Sequence, residues 1–290
     1  MRWEGNRESD NVEDYRGHGG GGGGFGLGGR SIGIGTLVIA LVGGAIFGIN
    51  PLTILGLLSG GPAPVQQQAP AHAPPAQDRS ARFVSTVLAD TEDVWRQVFA
   101  QGGATYREPK LALFSGGIRT GCGAGQSAMG PFYCPADQKV YIDLGFYRTL
   151  RDQLGAPGEF AQAYVIAHEV GHHVQHLLGI TDRVDQLRAR STQQQANAMS
   201  VRLELQADCF AGVWAHYSQQ SKQWLDPGDI ESAINAAARI GDDTLQRSAG
   251  RAVVPESFTH GSSAQRQRWF TNGWRSGSVQ ACDTFRAAAL

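Results

Sequence analysis

Lysine is nearly missing from this chain: only Lys110, Lys139 and Lys222 occur in 290 residues. The other basic residues are scattered arginines and the formal net charge is -1, so a continuous basic face for nucleic acid is excluded. Cysteine is sparse as well. Cys122, Cys134, Cys209 and Cys282 form no CxxC spacing, which argues against a zinc knuckle or a thioredoxin-type redox pair. No internal repeat is visible. Charge disappears altogether between Ser31 and Gln77. What remains, at 41% hydrophobic residues, is enough to build a full core without disulfide staples.

These gaps divide the chain. Residues 1–30 are polar, end in a glycine tract and read as a disordered cytoplasmic tail, because they hold too little apolar surface to offset ordering. Residues 31–58 read as a transmembrane anchor, with the span itself from about Ile32 to Leu55, long enough for a hydrocarbon layer of ~30 Å. Thirty residues precede the apolar run, which disfavours a cleaved signal peptide, and its even apolarity and glycine content disfavour a core helix. Arg2, Arg7, Arg16 and Arg30 lie before the span and Arg79 is the first basic residue after it, which predicts a single-pass inner-membrane protein with a cytoplasmic N-terminus and an exported domain. Residues 59–77, rich in Pro, Ala and Gln, read as an extended linker in which His72 is merely solvated. The folded domain is expected over 78–290.

Within that domain Phe83, Val87, Val94 and Val98 recur at helical intervals. Two extended pieces follow, KLALF from Lys110 and KVYIDL from Lys139, separated by a glycine-rich loop carrying Cys122 and Cys134. Helices are then expected from about Gly158 to Leu178, Gln193 to Gln220 and Asp229 to Ile240, with a further helix after His260. The fold class is α+β, a mainly helical domain with a small sheet.

The segment AHEVGHHVQHLLG concentrates four histidines, His168, His172, His173 and His176, around Glu169. His168 and His172 are four apart and share a helix face, so both imidazoles can reach one zinc ion, while Glu169 is offset toward a bound water. His176 lies about 12 Å along the axis from His168, too far to join them on a straight helix. His173 points off that face. A third ligand has to come from elsewhere, and VRLELQADCFAGVWAHY offers Glu204 as ligand and Asp208, four residues on, as hydrogen-bond acceptor for a ligating histidine.

HEVGHHVQ, LELQADCFAG and FTHGSSAQRQRWF, together with the N-terminal MRWEGNRESDNVEDYRG and GPFYCPADQKVYIDL, resemble the bacterial neutral zinc metallopeptidases, a zincin group. The resemblance implies a single-pass membrane protein with a zincin-like domain, Zn2+ held by His168, His172 and Glu204, and Glu169 as catalytic acid/base. A second likeness, to membrane-associated peptidases with ExxAD and a later THP motif, covers Glu204 to Asp208 and the spacing of His260 to Arg266. Gly261 stands where those have proline. It implies roles for His260 and Arg266; the chemistry itself needs an oxyanion donor besides zinc, for which His260 is the first candidate and Tyr133 a poorer one, and Arg266 would orient Glu204 or Asp208.

The activity this implies is hydrolysis of a peptide or protein by zinc-activated water. A zinc-bearing binding module that cuts nothing and a cell-wall peptide amidase are the rival readings. KLALF or KVYIDL is expected to pair with substrate backbone. In an exported domain Cys122 would pair with Cys134 and Cys209 with Cys282, one of three connectivities open to four cysteines.

Overall fold

The computed structural model describes residues 1–16, 71–127 and 130–290. Residues 1–16 and 71–290 form one compact unit. The segment read as tail end, anchor and first part of the linker, including the expected span at 31–58, lies outside the described residues. Among the described residues no helix is long and apolar enough to cross a membrane.

The four-stranded sheet contains β1 (Val12–Asp14), β2 (Lys110–Phe114), β5 (Phe132–Cys134) and β6 (Lys139–Asp143), in the order β1-β2-β6-β5. β1, β2 and β6 run parallel, and β5 is antiparallel to β6. A separate hairpin, β3 (Gly117–Thr120) with β4 (Gly123–Gln126), fills the loop between β2 and β5. KLALF and KVYIDL are thus inner strands with neighbours on both sides, which overturns the expectation that either pairs with substrate. Their unbroken apolar character suits a strand buried within a sheet. The outer edge nearest the helices is β5.

Helices pack on this sheet and on each other. α1 (Arg79–Gln101) starts where the Asp78 side chain accepts the Ala81 N–H. It is followed by α2 (Gly145–Asp152), α3 (Glu159–Leu177), α4 (Ile180–Arg188), α5 (Gln193–Lys222), α6 (Asp229–Arg239), α7 (Asp242–Ser248) and α8 (Ser263–Ser276). Reciprocal capping boxes, Thr192 with Gln195 and Ser262 with Gln265, fix where α5 and α8 begin. Two glycines set the helix crossings. A Cβ on Gly171 of α3 would sit 3.0 Å from the Ala207 carbonyl of α5, and one on Gly273 of α8 would sit 1.9 Å from that of Cys209. α5 is therefore clasped between α3 and α8 at backbone distance.

The first sixteen residues correct the reading of a disordered tail. Trp3 is buried edge-on against Phe83, with ring centroids 5.4 Å apart, and Val12 is buried where β1 pairs with β2. Arg7 pairs with Glu92 and Asp93, and the backbone of His72 pairs with Asp14, so His72 is not simply a solvated linker residue. The domain therefore includes 1–16 and reaches back before residue 78.

Candidate metal centre

α3 presents His168 and His172 one turn apart, with ring centroids 4.8 Å from each other, and α5 brings Glu204 against them. His168 Nε2 lies 3.2 Å from Glu204 Oε2 and His172 Nε2 lies 3.5 Å from Glu204 Oε1. Two ligands about 2.05 Å from a tetrahedral zinc ion are about 3.3 Å apart, so these spacings suit one. One donor atom from each of the three residues falls within 4.8 Å of the others. Electrostatics point the same way. Burial alone would push both imidazoles down, but Asp208 and Glu204 outweigh it, raising His168 to about 10 and His172 in the same direction. Burial would push the Glu204 carboxyl up, yet the two imidazoles hold it well below the usual range. A pocket that favours protons on its rings favours a cation between them.

The ligand candidates are held from behind. His168 donates through Nδ1 to Asp208 Oδ1 at 2.8 Å, which turns Nε2 toward Glu204. Asp208 also accepts the Tyr164 hydroxyl at 2.5 Å and two guanidinium N–H groups of Arg266, at 2.8 and 2.9 Å. Of the two carboxylates considered for it, Asp208 is the one Arg266 hydrogen-bonds. On the other side His172 Nδ1 donates to Gln175 Oε1 at 2.8 Å. Tyr164 and Gln175 carry no motif of their own, although Gln175 lies three residues after His172, a spacing that puts both on one helix face.

Glu169 is buried beside this group, and burial pushes its carboxyl up. His173 and His176 stay apart from it. His173 donates through Nε2 to the Arg107 carbonyl and accepts the Tyr133 hydroxyl on Nδ1, and burial lowers it to about 4. The Tyr133 hydroxyl proton is thereby directed at His173. His176 lies near Gln138 and Asp182.

His260 lines the same cleft, of about 860 Å³, as His168, Glu169, His172 and Glu204. Its Nδ1 faces Asp242 Oδ1 at 3.2 Å, and that contact raises the imidazole. Asp242 Oδ2 also accepts the backbone N–H groups of Thr259, His260 and Gly261. Gly261 has φ +92°. Proline could neither adopt that angle nor donate to Asp242, which accounts for glycine in place of the THP proline. Asp242 is a supporting residue no sequence motif announces. Pro131 and, in β5, Phe132 and Tyr133 form another wall of the cleft.

Both expected disulfides are present, Cys122–Cys134 and Cys209–Cys282, with Cα separations of 5.8 and 5.5 Å. The first joins β5 to the loop after β3. The second joins α5, next to Asp208, to the 3-10 turn Gln280–Cys282.

Comparison with known proteins gives relatives of similar length. The Escherichia coli (strain K12) protein named Uncharacterized protein YpfJ is 54% identical over 98% of this chain and 99% of its own. The Mycobacterium tuberculosis (strain ATCC 25618 / H37Rv) protein named Uncharacterized protein Rv2575 is 45% identical over 72% of this chain and 73% of its own. No solved structure matches. The family described as "Putative neutral zinc metallopeptidase" matches residues 1–285, and the chain belongs to that family.

Proposed function

We propose that the chain is a zinc-dependent endopeptidase in which His168, His172 and Glu204 hold Zn2+ and Glu169 moves the proton. The observation that carries this reading is the buried Glu169 carboxyl beside three convergent ligand groups in an open cleft. A zinc ion bound there supplies Lewis acidity toward a peptide carbonyl and makes a water more acidic. Glu169, raised by burial, accepts the proton of the attacking water and delivers it to the leaving amine nitrogen. His260, aimed by Asp242, whose contact favours the protonated imidazole, donates to the developing oxyanion. The free side of β5 offers backbone groups to an extended substrate, which supports cleavage within a chain rather than trimming of a small amide.

Glu169→Gln should lower hydrolysis of a denatured protein by about 10²–10⁴-fold while zinc content stays near one per chain. Undiminished hydrolysis would remove Glu169 and this site from the reaction, and a wild type that cuts nothing would leave a zinc-bearing binding module. Glu204→Ala should lower zinc content, and full occupancy in that variant would remove Glu204 from the ligand set.

Association of residues 31–58 with the inner membrane belongs to the same proposal, without a single crossing, because Met1–Arg16 packs with the domain and both would lie on its outer side. Two disulfides support the outer side, since such bonds persist in oxidising compartments. Cysteines introduced as Asp10→Cys and Leu187→Cys should both react with an impermeant thiol reagent on sealed cells. Labelling at only one of them would refute the shared side.

A further inference from the structure

Beyond Gln175 the contacts of His172 continue as an unbroken buried chain. The Gln175 side chain is fully buried, and its Nε2 donates to the Leu203 carbonyl at 2.7 Å and to Gln206 Oε1 at 3.1 Å. Gln206, also buried, donates through Nε2 to the Cys282 carbonyl at 3.0 Å. Cys282 is bonded to Cys209, three residues after Gln206 on α5. Each amide has a single consistent orientation along this chain. With both N–H groups of Gln175 given to acceptors, its oxygen must face His172, and an oxygen there requires a proton on His172 Nδ1. The Nε2 lone pair is then left for the metal side. Leu203 immediately precedes Glu204, so the same amide also fixes the backbone beside the third ligand.

The two ligating histidines thus have unlike supports. His168 leans on a carboxylate neutralised by Arg266, whereas His172 leans on neutral amides whose far end is a carbonyl held by a disulfide. We propose that Gln175 and Gln206 are positioning residues through which the Cys209–Cys282 bond sets the orientation of His172, so that zinc affinity depends on that bond. The energetic logic is that of a fully satisfied polar network: with every member paired it has one geometry, and an opened link lets each upstream amide rotate. The zinc part rests on the ligand assignment proposed above, and the ring orientation does not.

The full-length protein is used throughout, and two quantities are measured. The first is zinc affinity by competition with a chromophoric chelator. The second is solvent exchange of the His172 Nδ1 proton in metal-free protein, by nitrogen-15 NMR. Gln175→Leu should weaken zinc binding by about 10–100-fold, the usual range for loss of a group that orients a ligand, and should speed exchange of that proton. Gln206→Met should do both to a smaller extent. The paired change Cys209→Ala with Cys282→Ala should match Gln206→Met, and combining them should add little, because they cut one path. If the cysteine variant does not fold, Gln206→Met decides, since it leaves the disulfide intact. Zinc affinity within twofold of wild type and unchanged proton exchange in folded Gln175→Leu would overturn the proposal, as would additive losses from Gln206→Met and the cysteine pair. Should the wild type bind no zinc, the ligand assignment fails and the proton exchange still decides the relay.

Discussion

The helix pair at the metal centre and the seam that docks the N-terminal strand both rely on charged groups, yet in opposite regimes. At the centre Asp208 is fully buried and Arg266 nearly so, and both Asp208 oxygens are hydrogen-bonded. At the seam Arg79 meets Glu4 and Arg82 meets Glu8 with every partner at least 40% exposed. A buried pair has surrendered hydration and cannot lose one member without stranding the other, whereas an exposed pair lets water replace its partner. The same ion-pair chemistry therefore makes the Asp208 cluster inseparable and leaves these exposed pairs replaceable, so that the seam depends on apolar burial, strand pairing and the buried Glu92 that Arg7, Ser9 and Asn11 hold.

The largest expected effect is a test of the buried side. Arg266→Met should cost about 3–5 kcal/mol in denaturant unfolding, because Asp208 then keeps its charge without its principal counter-ion. A loss under about 1 kcal/mol would erase the contrast. Next comes the apolar part of the seam. Trp3→Ala should cost about 2–3 kcal/mol from lost burial against Phe83, read as easier proteolysis of the first sixteen residues. Arg82→Ala should change stability by less than about 1 kcal/mol. An Arg82→Ala effect equal to that of Trp3→Ala would mean that charge, not burial, docks the strand.

The same contrast governs how much of the molecule can be read from its sequence. The helices expected from Gly158, Gln193 and Asp229 appear as Glu159–Leu177, Gln193–Lys222 and Asp229–Arg239, because long amphipathic periodicity is local information. His168, His172 and Glu204 converge because four-residue spacing fixes one face of α3 and α5 sets an acid against it. The N-terminal strand escapes such reading. Three residues, Val12 to Asp14, become a strand only because Leu111, about a hundred residues later, offers an edge. Gln175, Gln206 and Asp242 escape for a related reason: an amide, or an acid in an acidic helix start, takes its role from a distant carbonyl or N–H. The identity of the free sheet edge is hidden likewise, since extended character in KLALF and KVYIDL does not reveal how many neighbours a strand has.

The finest test of the contrast is a seam carboxylate with three donors. Glu13 accepts from Lys110 Nζ at 2.8 Å, Lys139 Nζ at 2.6 Å and the Tyr15 hydroxyl at 2.7 Å. Burial would raise its carboxyl, but these three donors outweigh burial and lower it from the ordinary 4.5 to about 2. Because the folded value is the lower one, the stabilisation is complete above about pH 4.5 and is lost as pH falls from there toward 2. Unscreened linkage would put this near 3 kcal/mol. Lys110 is 55% exposed, however, so water screens the pair and about 1 kcal/mol is the better expectation. Protection factors of the β1 amides, taken relative to the intrinsic exchange rate at each pH, should therefore fall modestly between pH 4.5 and 2 in the wild type. In Glu13→Gln they should already be lower at pH 5 and should respond less to further acid. A drop approaching 3 kcal/mol would place Glu13 in the regime of Asp208, making the seam an electrostatic lock rather than an apolar one.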